Sequence, residues 1–301
     1  MQPEVIRPSV VIPTLKRPDR LTSVIRSLAA CDPPPFEVVV VDGDPERSAE
    51  AVIGSEPLPL VCRYVPSRPG LPRQRNAGMD AAAGDVICFF DDDVMVEPNI
   101  FGVVRDVFSR DDVVGATGRV VETETRSIVG KHSPVRALIP GGAAEGSFTR
   151  YGFPNRLVHL DRRQRIRFMH GSCMIVRADV ARRVRCDEAL TGYGLGEDED
   201  FSYRVSSQGT IVFDPRIVVH HAKEGFGTRD LRAFNRTVVV NRAYLFRKNF
   251  PQTAIARLEF TGLVVMLIVH RLLNREWAGA IGLLEGWLRA RAWSKRQIAP
   301  A

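Results

Sequence analysis

Over the first 115 residues, unbroken apolar runs alternate with segments in which apolar residues return every three or four positions. Residues 8–13 (PSVVIP) form a short apolar run ended by proline, which predicts a buried first strand. In 20–30 (RLTSVIRSLAA), Leu21, Val24, Ile25 and Leu28 recur at helical spacing, and the prolines at 33–35 stop the helix. Residues 36–41 (FEVVVV) are apolar on both faces of a strand, as expected where helices cover both sides of a sheet, and Asp42 stands at the end. A third strand at 60–65, a loop at 66–72 and a helix from about 73 to 83 follow. Residues 85–90 (DVICFF) form another continuous apolar strand, running directly into Asp91-Asp92-Asp93. This alternation predicts βαβ units and a mainly parallel, Rossmann-like α/β sheet flanked by helices. Such sheets bind ligands beyond the carboxyl ends of their strands, where Asp42 and the acidic triplet both stand.

The pattern then loosens. Residues 113–121 predict a strand, and 126–155, rich in Gly, Ser and Pro, a long loop. Residues 168–177 (FMHGSCMIVR) read as a strand or strand pair, followed by a short helix from Ala178. A helix is expected at 197–207, two short strands around a proline turn at 211–221, and an arginine-rich helix at 231–250 ended by Pro251. The tail changes character. Residues 260–269 (FTGLVVMLIV) are apolar all round, but ten residues fall short of the ~20 that span a bilayer. A second helix at 276–293 places Trp277, Ile281, Leu284 and Leu288 on one stripe, with Trp287, Trp293, Arg289, Arg291, Lys295 and Arg296 towards its end. This C-terminal helical appendage has two readings: an in-plane helix on anionic lipid, or a hairpin packed on the preceding domain or on a second copy through 254–296.

Charge adds one constraint. The net charge is +7, and only five of the 42 basic residues are lysine (16, 131, 223, 248 and 295), leaving 37 arginines. That excess suits a GC-rich coding sequence and also phosphate recognition, since the planar guanidinium can bond two oxygens at once. No basic cluster interleaved with aromatics and no zinc-ligand spacing is present, so nucleic acid is not an expected partner. Five scattered cysteines (31, 62, 88, 173, 186), odd in number and without a CxxC pair, predict reduced thiols. Met1-Gln-Pro-Glu leads straight into a strand-like run, which predicts no signal peptide.

Four groups of residues carry chemistry. Three adjacent carboxylates at 91–93 repel one another unless a cation compensates them, and hard ions such as Mg²⁺ and Mn²⁺ take carboxylate together with substrate phosphate oxygens. In 194–204 (GLGEDEDFSYR) four acids open a helix, where the helix dipole favours them and where one could act as a general base. His220-His221 ends a strand about twenty residues further on, and neutral imidazole is a metal ligand. In 71–78 (LPRQRNAG) a helix start carries Arg73 and Arg75, suited to an anion.

In this order the pieces resemble the family 2 glycosyltransferases of GT-A fold. The resemblance rests on SVVIPTLKRPDRL, VVVVDGDP, LPRQRNAGMDAAAGDVICFFDDDV and GEDEDFSYRVSSQG followed by VVHH, over about residues 8–225. It implies an inverting, metal-dependent transfer of a sugar from a nucleoside-diphosphate sugar (UDP-, dTDP- or GDP-linked) to an acceptor hydroxyl, with Mg²⁺ or Mn²⁺ as cofactor. By match to the family pattern, Pro13, Thr14, Arg17, Asp42, Arg75 and Asn76 surround the nucleotide, with Asp91 and Asp92 on the same side. Asp93 and His220 match the metal positions, with His221 the less favoured neighbour, and Asp198 the catalytic base, while His170, Gly171, Ser172 and Glu197 are candidates for the acceptor side. The resemblance also implies a catalytic domain over 1–250, with a nucleotide part at about 8–115 and an acceptor part at about 116–250, before the tail at 251–301. A cytoplasmic protein, peripheral on the inner face of the plasma membrane if the tail docks there, is expected. A sugar-phosphate nucleotidyltransferase is the alternative enzyme, although the loop after the first strand, Pro13-Thr-Leu-Lys-Arg, lacks the glycines that class uses. An inactive scaffold is the non-enzymatic alternative, although Asp91, Asp93 and Asp198 are all present.

Overall fold

The computed structural model describes residues 5–54, 60–122, 139–141, 143–157, 159–190, 194–222 and 230–292. It divides into two compact units, one of residues 1–123, 159–188 and 192–223, the other of 124–158, 189–191 and 224–301.

The first unit is built on a nine-stranded sheet. Strands β1 (Pro8–Thr14), β2 (Glu37–Asp42), β3 (Cys62–Pro66) and β4 (Val86–Phe90) run parallel in the order β3-β2-β1-β4. Beyond β4 the sheet becomes mixed. Strand β8 (Cys173–Arg177) pairs antiparallel with β4, and β6 (Val113–Glu122) pairs antiparallel with β8 and parallel with β9 (Thr210–His221). Two short strands that the apolar pattern did not announce, β5 (Val94–Val96) and β7 (Gln164–Ile166), pair antiparallel with β9. The expected pair of strands at 211–221 is one strand, carried through Pro215 by an irregular register between Phe213 and Val218.

Alternation along each strand sends its side chains to opposite faces. On one face Val10, Ile12, Val38, Val40, Val86, Cys88 and Phe90 share a core with helices α1 (Pro18–Ala29) and α4 (Ile100–Phe108). The predicted apolar set of α1, Leu21, Val24, Ile25 and Leu28, is the buried one, each side chain contributing about 1.5–3 kcal/mol by leaving water. A short helix, α2 (Ser48–Gly54), follows β2. On the other face lie α3 (Leu71–Ala81), α5 (Ala178–Val184) and α6 (Glu197–Ser206). Gly78 of α3 lies so close to β1 that a Cβ there would meet Val11 at 2.2 Å, and Phe201 of α6 stands edge-on to Phe89 with ring centroids 5.9 Å apart. The interior β-branched and aromatic runs place the sheet, and its parallel half aims the ends of β1, β2 and β4 in one direction.

The second unit contains α7 (Leu231–Asn249), α8 (Ala254–Leu273) and α9 (Trp277–Ala292). Val239, Ala243, Phe246, Phe260, Leu263 and Leu267 share its core with Tyr151, whose hydroxyl donates to the Pro140 carbonyl at 2.7 Å. Much of the expected loop at 126–155, and Trp293, Lys295 and Arg296, lie outside the described residues. Among the described residues no helix is long and apolar enough to cross a membrane.

Candidate active site

The carboxyl ends of β1 and β4 are neighbours, and the loops leaving them are tied together. Thr14, the last residue of β1, donates its hydroxyl to Asp92 at 2.8 Å, with buried Pro13 immediately before it. Arg17 donates to the other Asp92 oxygen at 3.2 Å and reaches Asp93 at 3.7 Å. Asp92 is thus a buried brace between the two loops.

Among the described residues, Asp91, Asp93 and His221 form a cluster that could hold a metal ion, with one donor atom from each lying within 4.8 Å of the others. His221, rather than the expected His220, is the histidine that stands in this cluster. His220 Nε2 lies 2.7 Å from exposed Glu97, whereas His221 Nε2 lies 3.0 Å from Asp93 Oδ1, within hydrogen-bond distance. The reason is strand parity: β5 pairs Val94 with His221 and Met95 with His220, and the inward side of that ladder is the Val94 side. Arg20 of α1 was missed in the sequence; its Nη1 donates to Asp93 Oδ2 at 3.2 Å and to the Ala222 carbonyl at 3.2 Å. The available signal was its place one turn after Arg17.

The three acids differ electrically. Burial pushes Asp91 up, opposed by the charges of Arg75 and His221. Burial also raises Asp92, against its Thr14 hydrogen bond and Arg17. Burial pushes Asp93 the same way, but the His221 hydrogen bond and the charges of His221, Arg17 and Arg20 outweigh it and leave the carboxyl below its ordinary value. Two carboxylates and one imidazole, half-buried at a strand end beside arginines, are a donor set that suits Mn²⁺ or Mg²⁺ bound together with an anionic substrate.

Arg75, expected on the nucleotide side, is engaged by protein groups. Its guanidinium is fully buried, donating from Nη2 to Asp91 at 3.3 Å and to the Gly171 carbonyl at 2.9 Å, while Nη1 forms an ion pair with Glu197. One cation thereby ties the end of β4, the turn before β8 and the start of α6. Glu197, expected on the acceptor side, is correspondingly a buried partner of Arg75. Asn76 is also structural: its Nδ2 donates to the Cys186 carbonyl and Glu188, and its Oδ1 accepts from the Cys186 N–H at 2.8 Å. Asp42 is buried and accepts from the N–H groups of Asp44 and Ala49 and from the Tyr64 hydroxyl, shaping the loop into α2. Gln74, unremarked in the sequence, donates to the carbonyls of Thr14 and Val41 and so fixes α3 to the ends of β1 and β2.

Asp198 stands apart from the other acids of its helix turn. Glu197 pairs with Arg75 and Asp200 with Arg204, but Asp198 has no ion pair among the described residues. Its Oδ1 accepts from the Glu199 N–H at 2.9 Å, and the carboxylate is half-buried against Gly171, where a Cβ would come 3.2 Å from Oδ2. His170 and Ser172 flank that glycine and bond each other at 2.8 Å through Nδ1 and Oγ.

Burial pushes Glu197 up to about 7 from 4.5, despite Arg75 beside it, with Asp198 and Asp91 adding to the rise. The folded chain therefore keeps a proton that the unfolded chain releases between about pH 4.5 and 7. Unfolding free energy should fall through that window as pH rises, by at most ~1.4 kcal/mol per unit from this group. Denaturation series at pH 5, 6 and 7 check this: Glu197→Gln should flatten the slope, and an unchanged slope would assign it to other groups.

The profile of Glycosyl transferase family 2 matches residues 9–185. Over 232 residues the chain is 29% identical to the succinoglycan biosynthesis protein ExoM of Rhizobium meliloti (strain 1021), covering 73% of this chain and 68% of that protein. The fold is similar to that of TarS from S. aureus, with a TM-score of 0.57 and 16% identity over 97% of this chain; the chain spans only half (50%) of TarS. It is also similar to the mannosyltransferase PcManGT from Pyrobaculum calidifontis, solved with GDP-Man and Mn²⁺, with a TM-score of 0.56 and 14% identity over 97% of this chain and 77% of that one. Those two likenesses establish the GT-A type of fold, and the profile match, which spans more than half of the chain and contains the acidic strand end, establishes that this protein belongs to the family 2 glycosyltransferases.

Proposed function

We propose that this glycosyltransferase inverts configuration and requires a divalent metal, moving a sugar from a nucleoside-diphosphate sugar to an acceptor hydroxyl. The observation that carries this reading is the Arg75 bridge, which sets the Asp91–Asp93–His221 group and the Asp198 turn around one buried cation. Asp91, Asp93 and His221 would hold Mg²⁺ or Mn²⁺, which when bound neutralises charge growing on the departing diphosphate. Arg17 and Arg20 add positive charge at the same place. Asp198, unpaired with any described cation, accepts the proton of the acceptor hydroxyl as the acceptor oxygen bonds to the sugar C1 and the C1–O bond to the diphosphate breaks. A single carboxylate base with direct attack gives inversion. His170, Gly171 and Ser172 are proposed to border the acceptor beside Asp198.

Calorimetric titration with MnCl₂, with and without nucleoside diphosphate, tests the metal assignment. Asp93→Ala and His221→Ala should each weaken binding at least ~10-fold, the scale on which even supporting groups around a metal act. His220→Ala should leave affinity within about twofold, because its imidazole is engaged by Glu97. Loss on replacing His220 with none on replacing His221 would reverse the assignment. A screen of nucleotide sugars for metal-dependent donor hydrolysis would then name the donor.

A further inference from the structure

Helix α9 is packed inside out. Its buried residues are Gly279, Ala280, Gly282, Leu283, Gly286 and Ala290, and a Cβ at Gly282 would meet the Arg232 carbonyl of α7 at 2.1 Å, one at Gly286 the Arg236 carbonyl at 2.6 Å. Where α9 meets α7 at these glycines there is no room for a larger side chain, and Leu283 is the large apolar residue that α9 buries. The large apolar residues Trp277, Ile281, Leu284 and Leu288 are outside, between 47% and 63% exposed. Helix α8 has apolar residues on two sides. Phe260, Leu263, Val264 and Leu267 enter the core, while Leu258, Val265, Val269 and Leu273 are exposed. A solvent-facing helix normally turns its charged side outward, and contiguous exposed apolar surface marks a site of contact.

The charges around this face have one sign. Arg257, Arg275, Arg289 and Arg291 are exposed along the two helices. Every carboxylate in 254–292 is already held by an arginine: Glu259 by Arg150, Glu276 by Arg271, and Glu285 by Arg232 and Arg236. A second copy of the same face would bring arginines against arginines with no acid to meet them. An anionic lipid surface complements both the apolar residues and the arginines, with tryptophan suited to the headgroup level. Neither helix can cross a bilayer.

We infer that the outward face of α8 and α9 docks the protein in the plane of an anionic membrane surface. The full chain, sedimented with phosphatidylglycerol–phosphatidylcholine vesicles, should partition to the lipid, and less so on pure phosphatidylcholine or at high salt. Leu258→Asp with Leu284→Asp should lower the partition coefficient at least ~10-fold, with donor hydrolysis and the circular-dichroism melt unchanged. Should that pair misfold, Arg257→Gln with Arg275→Gln and Arg289→Gln, all at exposed positions, should still reduce binding to anionic vesicles several-fold. Wild-type protein that stays in the supernatant at every lipid concentration overturns the inference. So does a dimer, seen by sedimentation velocity, that the leucine pair dissociates while vesicle binding is unaltered.

Discussion

Asp198→Asn should lower the rate of sugar transfer by about 10²–10⁴-fold, the usual contribution of a positioned general base. The amide keeps the shape of the carboxylate, so the turn against Gly171 and the hydrogen bond from the Glu199 N–H can both persist. What it removes is the capacity to take a proton. Nucleoside-diphosphate affinity, measured by calorimetry, should therefore stay within about twofold, because the acids beside Thr14, Arg17 and His221 are untouched. A loss confined to kcat with little change in donor KM is the signature of an interaction made in the transition state.

The neighbouring acids supply the control. Asp200 is held by Arg204 and Glu197 by Arg75, so neither presents a free carboxylate to an acceptor. If Asp198→Asn turned over normally while Asp91→Asn did not, the base would have to be sought nearer the strand end. Retained transfer in Asp198→Asn removes it from the reaction altogether.

How far the sequence discloses this site depends on which physical signal each residue leaves. Continuous apolar runs such as FEVVVV and DVICFF can satisfy their side chains only inside a covered sheet, so β2, β4 and the strand-end acids were legible. The repeat of Leu21, Val24, Ile25 and Leu28 fixed the buried side of α1 for the same reason. The choice between His220 and His221 was open to period-two alternation, since Ile217, Val219 and His221 share one side of β9. Reading 211–221 as two strands around Pro215 discarded that phase. Three-residue strands such as β5 and β7 are too short to show a period at all. Arg75 was beyond reach because its meaning lies in partners 16, 96 and over a hundred positions away in sequence, Asp91, Gly171 and Glu197. A helix-opening arginine looks the same whether it meets a phosphate or a buried carboxylate.

That hidden role makes Arg75→Met the substitution with the largest expected effect on stability. Methionine fills much of the space but leaves Glu197 buried without its counter-charge, and removing one partner of a buried pair costs about 3–5 kcal/mol. The cost should depend on pH. At pH 8 wild-type Glu197 lies above its value of about 7 and is a carboxylate paired with Arg75. Without that cation, which lowers its pKa, the buried carboxyl is pushed further up and must stay charged unpaired or take a proton, so the missing guanidinium is felt in full. At pH 5.5 the carboxyl is protonated and needs no cation, so the loss should be smaller. Thermal melts at the two pH values read this difference directly. Adding Glu197→Gln should recover part of the loss at pH 8, because the pair then becomes two neutral groups and the two changes cease to add. Were the single variant equally unstable at both pH values, with the double variant strictly additive, Arg75 would be stabilising through Asp91 and the Gly171 carbonyl instead. In either case the end of β4 and the Asp198 turn lose their common anchor, so transfer should fall even where the variant remains folded. Such misplacement of groups that must act together costs rate without removing any reacting atom.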